Sequence, residues 1–160
     1  GISKANFNKP LAMPSGNYAI CVQNASWITK QWPIESWKEL LKILEKRDIN
    51  LLFPSGNQEE YNRANEICSV SEKALALEVL PLNEIAFLID NSEFTLCSDT
   101  GLAHLSAVVG TPSLTLYGPT DTRLIGTYGE NQNHFVSPDS DISKISVKDV
   151  LTKLENLNFL

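Results

Sequence analysis

Residues Phe94 to Tyr117 read F-T-L-C-S-D-T-G-L-A-H-L-S-A-V-V-G-T-P-S-L-T-L-Y, and this stretch decides the fold. Phe94–Cys97 is a short apolar run that predicts a strand. Gly101–Val109 is a compact apolar stretch of helical length, and Leu114–Tyr117 predicts a second strand. Strands that are continuously apolar, with no polar alternation, are buried on both faces, as in a parallel sheet covered by helices. The same alternation continues outward. Tyr18–Val22 (Y-A-I-C-V) predicts a strand. Pro33 then opens a helix that places Ile34, Trp37, Leu40, Leu41 and Leu44 on one face. Asn50–Phe53 is another strand, and Pro54–Asn57 turns the chain into a polar helix over Gln58–Cys68. Ala76–Leu80 predicts a strand, Leu82–Ile89 a short helix, Gly118–Asn133 a long loop, and Ser146–Leu157 a closing amphipathic helix. The expected fold class is α/β: a Rossmann-like parallel sheet with helices on both faces.

The chain has 160 residues, enough for one compact domain with a full core. Residues 1–16 read as a linker or the tail of a preceding element, and 17–160 as the domain. The opening Gly1, in place of Met, points to processing, a tag scar or an excised piece. Apolar residues make up 42% and charged residues 20%, an ordinary globular composition without a membrane-length apolar run or a secretory signal. The formal net charge is -6 and the basic residues form no stripe, which argues against nucleic acid as a partner. Cys21, Cys68 and Cys97 are scattered, with no C-x-x-C pair, so neither a disulfide framework nor a zinc site is expected. Cys21 and Cys97 lie within apolar runs and read as buried thiols in a reducing, cytoplasmic setting.

In open parallel sheets ligands bind beyond the carboxyl ends of the strands. The segments to inspect are therefore Gln23–Lys30, Pro54–Glu60, Ser98–His104 and Tyr117–Gly129. No G-x-G-x-x-G follows the first strand and no G-x-x-x-x-G-K-[ST] occurs, so a phosphate would be held in some other way. S-D-T-G-L-A-H at Ser98–His104 follows a strand and opens a helix, whose first N–H groups and positive dipole end suit an anion. Asp99 is either a helix cap or a partner for sugar hydroxyls. His104 lacks a second ligand at metal-binding spacing, so no metal is expected. Lys30 is either a solvated loop lysine or a point charge for phosphate, with Ser26 and Thr29 as nearby hydroxyls. Trp32 and Trp37 read as helix packing. Glu59 and Glu60 suit the first turn of a helix, and either could accept hydrogen bonds from a ribose. Thr120, Asp121 and Arg123 are candidate sugar or phosphate contacts in a loop loosened by Gly126 and Gly129.

Taken in order, K-x-W-P (Lys30–Pro33), P-x-G-x-x-E-E (Pro54–Glu60), S-D-T-G-L-x-H-L (Ser98–Leu105), L-Y-G-P-T-D (Leu116–Asp121) and G-x-Y-G (Gly126–Gly129) resemble glycosyltransferase family nine, and within it the lipopolysaccharide heptosyltransferases. The resemblance runs from Asn17 to Gln132 and more weakly to the last helix. It implies the C-terminal, donor-binding half of a two-domain GT-B glycosyltransferase that transfers heptose from ADP-heptose, by inversion, to the Kdo–lipid A inner core. By position it implies that Ser26 and Lys30 touch the phosphates and Glu60 holds the ribose. Asp99 would bind the heptose, Thr100 and Gly101 would donate to the phosphate region, and His104 would line the site. Ala25–Ser26 departs from the family's pattern, which carries two hydroxyls there. The resemblance assigns the base and the lipid-linked acceptor's site to an N-terminal domain outside this chain. The chain alone is then expected to bind donor without turnover, with no cofactor, in the cytoplasm or peripherally at the inner membrane of a Gram-negative bacterium. A different nucleotide-sugar donor, a non-catalytic nucleotide-binding module and a nucleotide-sugar epimerase are the alternatives.

Overall fold

The apolar runs pair as parallel strands. A computed structural model of the chain describes residues 16–24, 31–98, 101–118, 131–137 and 139–160, with Gly101 and His104 described only as helix positions. The strands are β1 (Tyr18–Val22), β2 (Asn50–Phe53), β3 (Ala74–Ala76), β4 (Thr95–Ser98), β5 (Ser113–Tyr117) and β6 (Gln132–Val136). They form one sheet in the order β3-β2-β1-β4-β5-β6, with every neighbouring pair parallel. β1 and β4 are adjacent although far apart in sequence, with Ile20 beside Thr95 and Val22 beside Cys97. The strand order reverses direction there, and such a switch point opens a crevice at the carboxyl ends of the strands.

The helices are α1 (Ile34–Leu44), α2 (Gln58–Cys68), α3 (Leu82–Asp90), α4 (Gly101–Val109) and α5 (Val147–Asn156). Their starts follow from local chemistry. Pro33 stands at the N-cap of α1, and its fixed φ of -58° leads into the helix without wasting a donor. The Asn57 side chain accepts from the Glu60 N–H at the start of α2, and Ser146 accepts from the Asp149 N–H at the start of α5. α1, α2 and α5 cover one face of the sheet through Trp37, Leu41, Ile67, Val150 and Leu154. α3 and α4 cover the other through Ile85, Leu88, Ile89, Ala103 and Val109. The α/β class and the two covered faces are as the sequence predicts.

Two predicted boundaries are corrected. The third strand is Ala74–Ala76, not Ala76–Leu80. The Leu77 N–H still bonds to the Phe53 carbonyl at 2.9 Å, but then the chain leaves the sheet, and Val79 is exposed. The predicted loop over 118–133 runs into a sixth strand instead, because Gln132–Val136 pairs along the whole of β5. Gly118 is needed for a reason beyond its turn. A Cβ there would lie 2.6 Å from the Ile142 backbone nitrogen, so the chain after β5 and the 3-10 turn Ile142–Lys144 pack backbone to backbone. Cys21, Cys68 and Cys97 are all buried, as expected of Cys21 and Cys97. Burial pushes the Cys68 and Cys97 thiols up to about 12, a Thr95 hydrogen bond partly opposing it at Cys97. No helix among the described residues is long and apolar enough to cross a membrane.

Candidate functional site

At the carboxyl ends of β1 and β2, under the start of α4, lies a cavity of about 520 Å³. One side is apolar: Val22 from β1, Leu80, Leu82 and Ile85 around α3, and Leu102 and Leu105 from α4. The other side is polar: Asn24, Ser55, Gly56 and Glu60. A concave apolar site with a few convergent polar groups is the usual form of a small-molecule pocket. The volume lies within the range typical of such sites, about 300–1,000 Å³.

Glu60 is the predicted residue that the structure brings into this cavity with its side chain described. It sits in the first turn of α2, half-buried, while Glu59 faces solvent. Its backbone N–H donates to the Asn57 side chain at 2.9 Å, and its Oε1 accepts from the Gly56 N–H at 2.6 Å. Helix capping and site placement are therefore one arrangement. The tight turn holds the carboxylate, and a Cβ on Gly56 would come within 2.9 Å of that same oxygen. A carboxylate has about four acceptor positions, of which Gly56 uses one.

Gly101 and His104 lie on α4, whose Leu102 and Leu105 line the cavity. Ser26, Lys30, Asp99 and Thr100 lie outside the described residues, as do Ala25, Thr29, Thr120, Asp121, Arg123, Gly126 and Gly129. Trp32 and Trp37 are fully buried and meet edge to face at 5.1 Å, the packing role expected of them. Trp32 also donates its indole N–H to the Ile145 carbonyl at 2.9 Å, tying the chain before α1 to that before α5. Among the described residues no group of three or more His, Cys, Asp or Glu is placed to hold a metal.

Sequence reasoning passed over the polar network behind the cavity. Asn24 donates to the Pro54 carbonyl at 3.0 Å, joining the carboxyl ends of β1 and β2. The fully buried Gln23 donates to the Glu60 carbonyl at 3.2 Å and to the Asn24 side chain. Arg63, one turn along α2 from Glu60, donates to the Gln23 carbonyl, the Gln23 side chain and the Trp32 carbonyl. Burial pushes the Arg63 guanidinium below its ordinary pKa, and Glu66 opposes the shift. An amide and an arginine inside a polar stretch carry no signal of this until the strands are placed side by side.

A family model described as glycosyltransferase family 9 (heptosyltransferase) matches residues 3–154. The chain belongs to this family. Lipopolysaccharide heptosyltransferase 1 of Escherichia coli strain K12 is 35% identical over 155 residues, which cover 95% of this chain and 48% of that protein. Among solved structures, E. coli heptosyltransferase WaaC with ADP superposes with a TM-score of 0.87 at 32% identity, over 94% of this chain and 46% of that one. The same enzyme with ADP-2-deoxy-2-fluoro heptose gives 0.83 at 30% identity, over 90% and 45%. The family 9 chain thus spans about half the length of the relatives it matches. Membership displaces the epimerase alternative.

Proposed function

We propose that this family 9 chain is the donor-binding half of an inverting heptosyltransferase of lipopolysaccharide synthesis, and that its cavity takes the nucleoside of ADP-heptose. The observation that carries the reading is the position of Glu60, fixed by Gly56 at the polar end of an otherwise apolar cavity at the switch point. A base buries against Leu80, Ile85 and Leu102, and the carboxylate accepts from the ribose hydroxyls. The similar WaaC structures hold ADP and a fluorinated ADP-heptose, which supports this donor class.

In this reading the diphosphate lies toward the start of α4, where unpaired N–H groups and the dipole favour negative charge. Thr100 and Gly101 donate there, and Lys30 and Ser26 add a cation and a hydroxyl. Asp99 accepts from heptose hydroxyls and His104 lines the site. Charge that builds on the departing diphosphate is stabilised by Lys30 and the helix start, so no metal is required. A carboxylate base that deprotonates the acceptor hydroxyl belongs to the portion of the relatives that this chain does not span. The chain alone binds donor and does not turn over, and the lipid-linked acceptor meets the whole enzyme at the cytoplasmic side of the inner membrane.

Calorimetric titration with ADP, UDP and GDP tests the reading. ADP is expected to bind most tightly, with Glu60→Ala weakening it about tenfold or more, the loss of a charge-assisted hydrogen bond. Equal binding of all three nucleotides, or none, contradicts it. Heptose transfer by the chain on its own contradicts the assignment of the base elsewhere.

A further inference from the structure

We propose that Arg63 is a positioning residue that fastens both ends of the segment between Gln23 and Trp32 to the helix carrying Glu60, so that the phosphate and ribose ends of the donor site are held in one register. The proposal rests on the nucleotide reading above. One guanidinium nitrogen donates to the Gln23 carbonyl at 3.1 Å and to the Gln23 side chain, and the other donates to the Trp32 carbonyl at 3.1 Å. Gln23 and Trp32 bracket the segment that contains Ser26 and Lys30. Arg63 therefore grips that segment at both of its ends from a single point on α2, one turn beyond Glu60. Gln23 passes the connection on to the Glu60 carbonyl, and Asn24 passes it to the Pro54 carbonyl.

The choice of arginine is informative. Its planar fork offers five donors at fixed angles and can serve two carbonyls at once, whereas a lysine ammonium offers no fork of fixed geometry. Half-burying a cation carries a desolvation cost, which here lowers its pKa. If closing a loop were the sole task, apolar packing would do it without that cost.

The test compares ADP with adenosine, which lacks the phosphates, by calorimetry on the unsubstituted chain, Arg63→Lys and Arg63→Met, each with and without Lys30→Ala. Thermal melts by circular dichroism report folding of every variant, and should Arg63→Met fail to fold, Arg63→Lys gives the same reading. ADP affinity is expected to fall about tenfold on either Arg63 substitution, with adenosine changed less than about twofold, and the Arg63 effect is expected to shrink when Lys30 is already absent. Equal losses for ADP and adenosine reduce Arg63 to a structural brace and overturn the proposal. So does an unchanged ADP affinity, or an Arg63 effect of full size in the Lys30→Ala background. Failure of the unsubstituted chain to bind ADP overturns the functional reading itself, a result distinct from any of these.

Discussion

The two faces of the sheet are packed in different ways. On the α1–α2–α5 face, Trp32, Trp37 and Phe53 meet edge to face in series, at 5.1 and 5.5 Å, and Phe94 stacks on Phe159 at 5.0 Å. On the α3–α4 face, the buried core among the described residues is aliphatic apart from Tyr18 and Cys97. There, at the carboxyl end, the cavity is left open. Large rings fill volume and contribute more burial per residue than aliphatic side chains. The closed face supplies stability, which leaves the other free to keep a ligand-sized void that a fully packed core would not contain.

Substitutions on the two faces should then have different consequences. Trp37→Ala empties the closed face and is expected to cost about 3–5 kcal/mol, read by urea unfolding. Leu82→Ala at the mouth of the cavity, where the side chain is 68% exposed, is expected to change stability by less than about 0.5 kcal/mol. Comparable losses at the two positions would break the distinction. Trp32→Phe keeps a ring but orphans the buried Ile145 carbonyl, for about 1–3 kcal/mol of stability, with ADP affinity unchanged. Gly56→Ala should do the reverse. Its Cβ displaces the Glu60 carboxylate, so ADP affinity drops about tenfold while stability falls by no more than about 1 kcal/mol.

A pH dependence separates the faces less sharply. Burial raises the Cys97 thiol from its ordinary 9.0 to about 12. The folded chain keeps that proton where the unfolded chain releases it, so the contribution is intact below pH 9 and is lost progressively between pH 9 and 12. Cys21 and Cys68, on the closed face, are shifted in the same direction. Stability is therefore expected to fall from pH 8 to pH 10. Cys97→Ala should reduce that fall by about 1 kcal/mol, as measured by unfolding at both pH values.

Much of the fold is legible in the sequence because its central strands are continuous apolar runs. β1, β2 and α4 sit where those runs predict, and α5 differs from its predicted span only by its cap residues. β6 escapes because Q-N-H-F-V is an edge strand, only half-buried along its length, and its polarity reads as loop. β3 is displaced because Ala74–Leu80, apolar except for Glu78, is so for two reasons at once. Its first part pairs with β2, while Leu80 forms cavity wall. A cavity-lining apolar residue and a core residue look the same in one dimension. The sequence singles out Glu60 in the turn after β2, and the structure places it at the cavity. Gly56 closing on its carboxylate depends on the turn geometry. Arg63 depends on partners 31 and 40 positions away in sequence, which no local pattern reveals.

Amide hydrogen exchange with and without ADP tests the central claim most directly, because it reads both faces in one experiment. The account predicts slowed exchange at 54–61, 80–86 and 102–105, around the cavity, with α1 and α5 on the closed face unchanged. Protection centred on α1 or α5, with the cavity segments unaffected by saturating ADP, would contradict it.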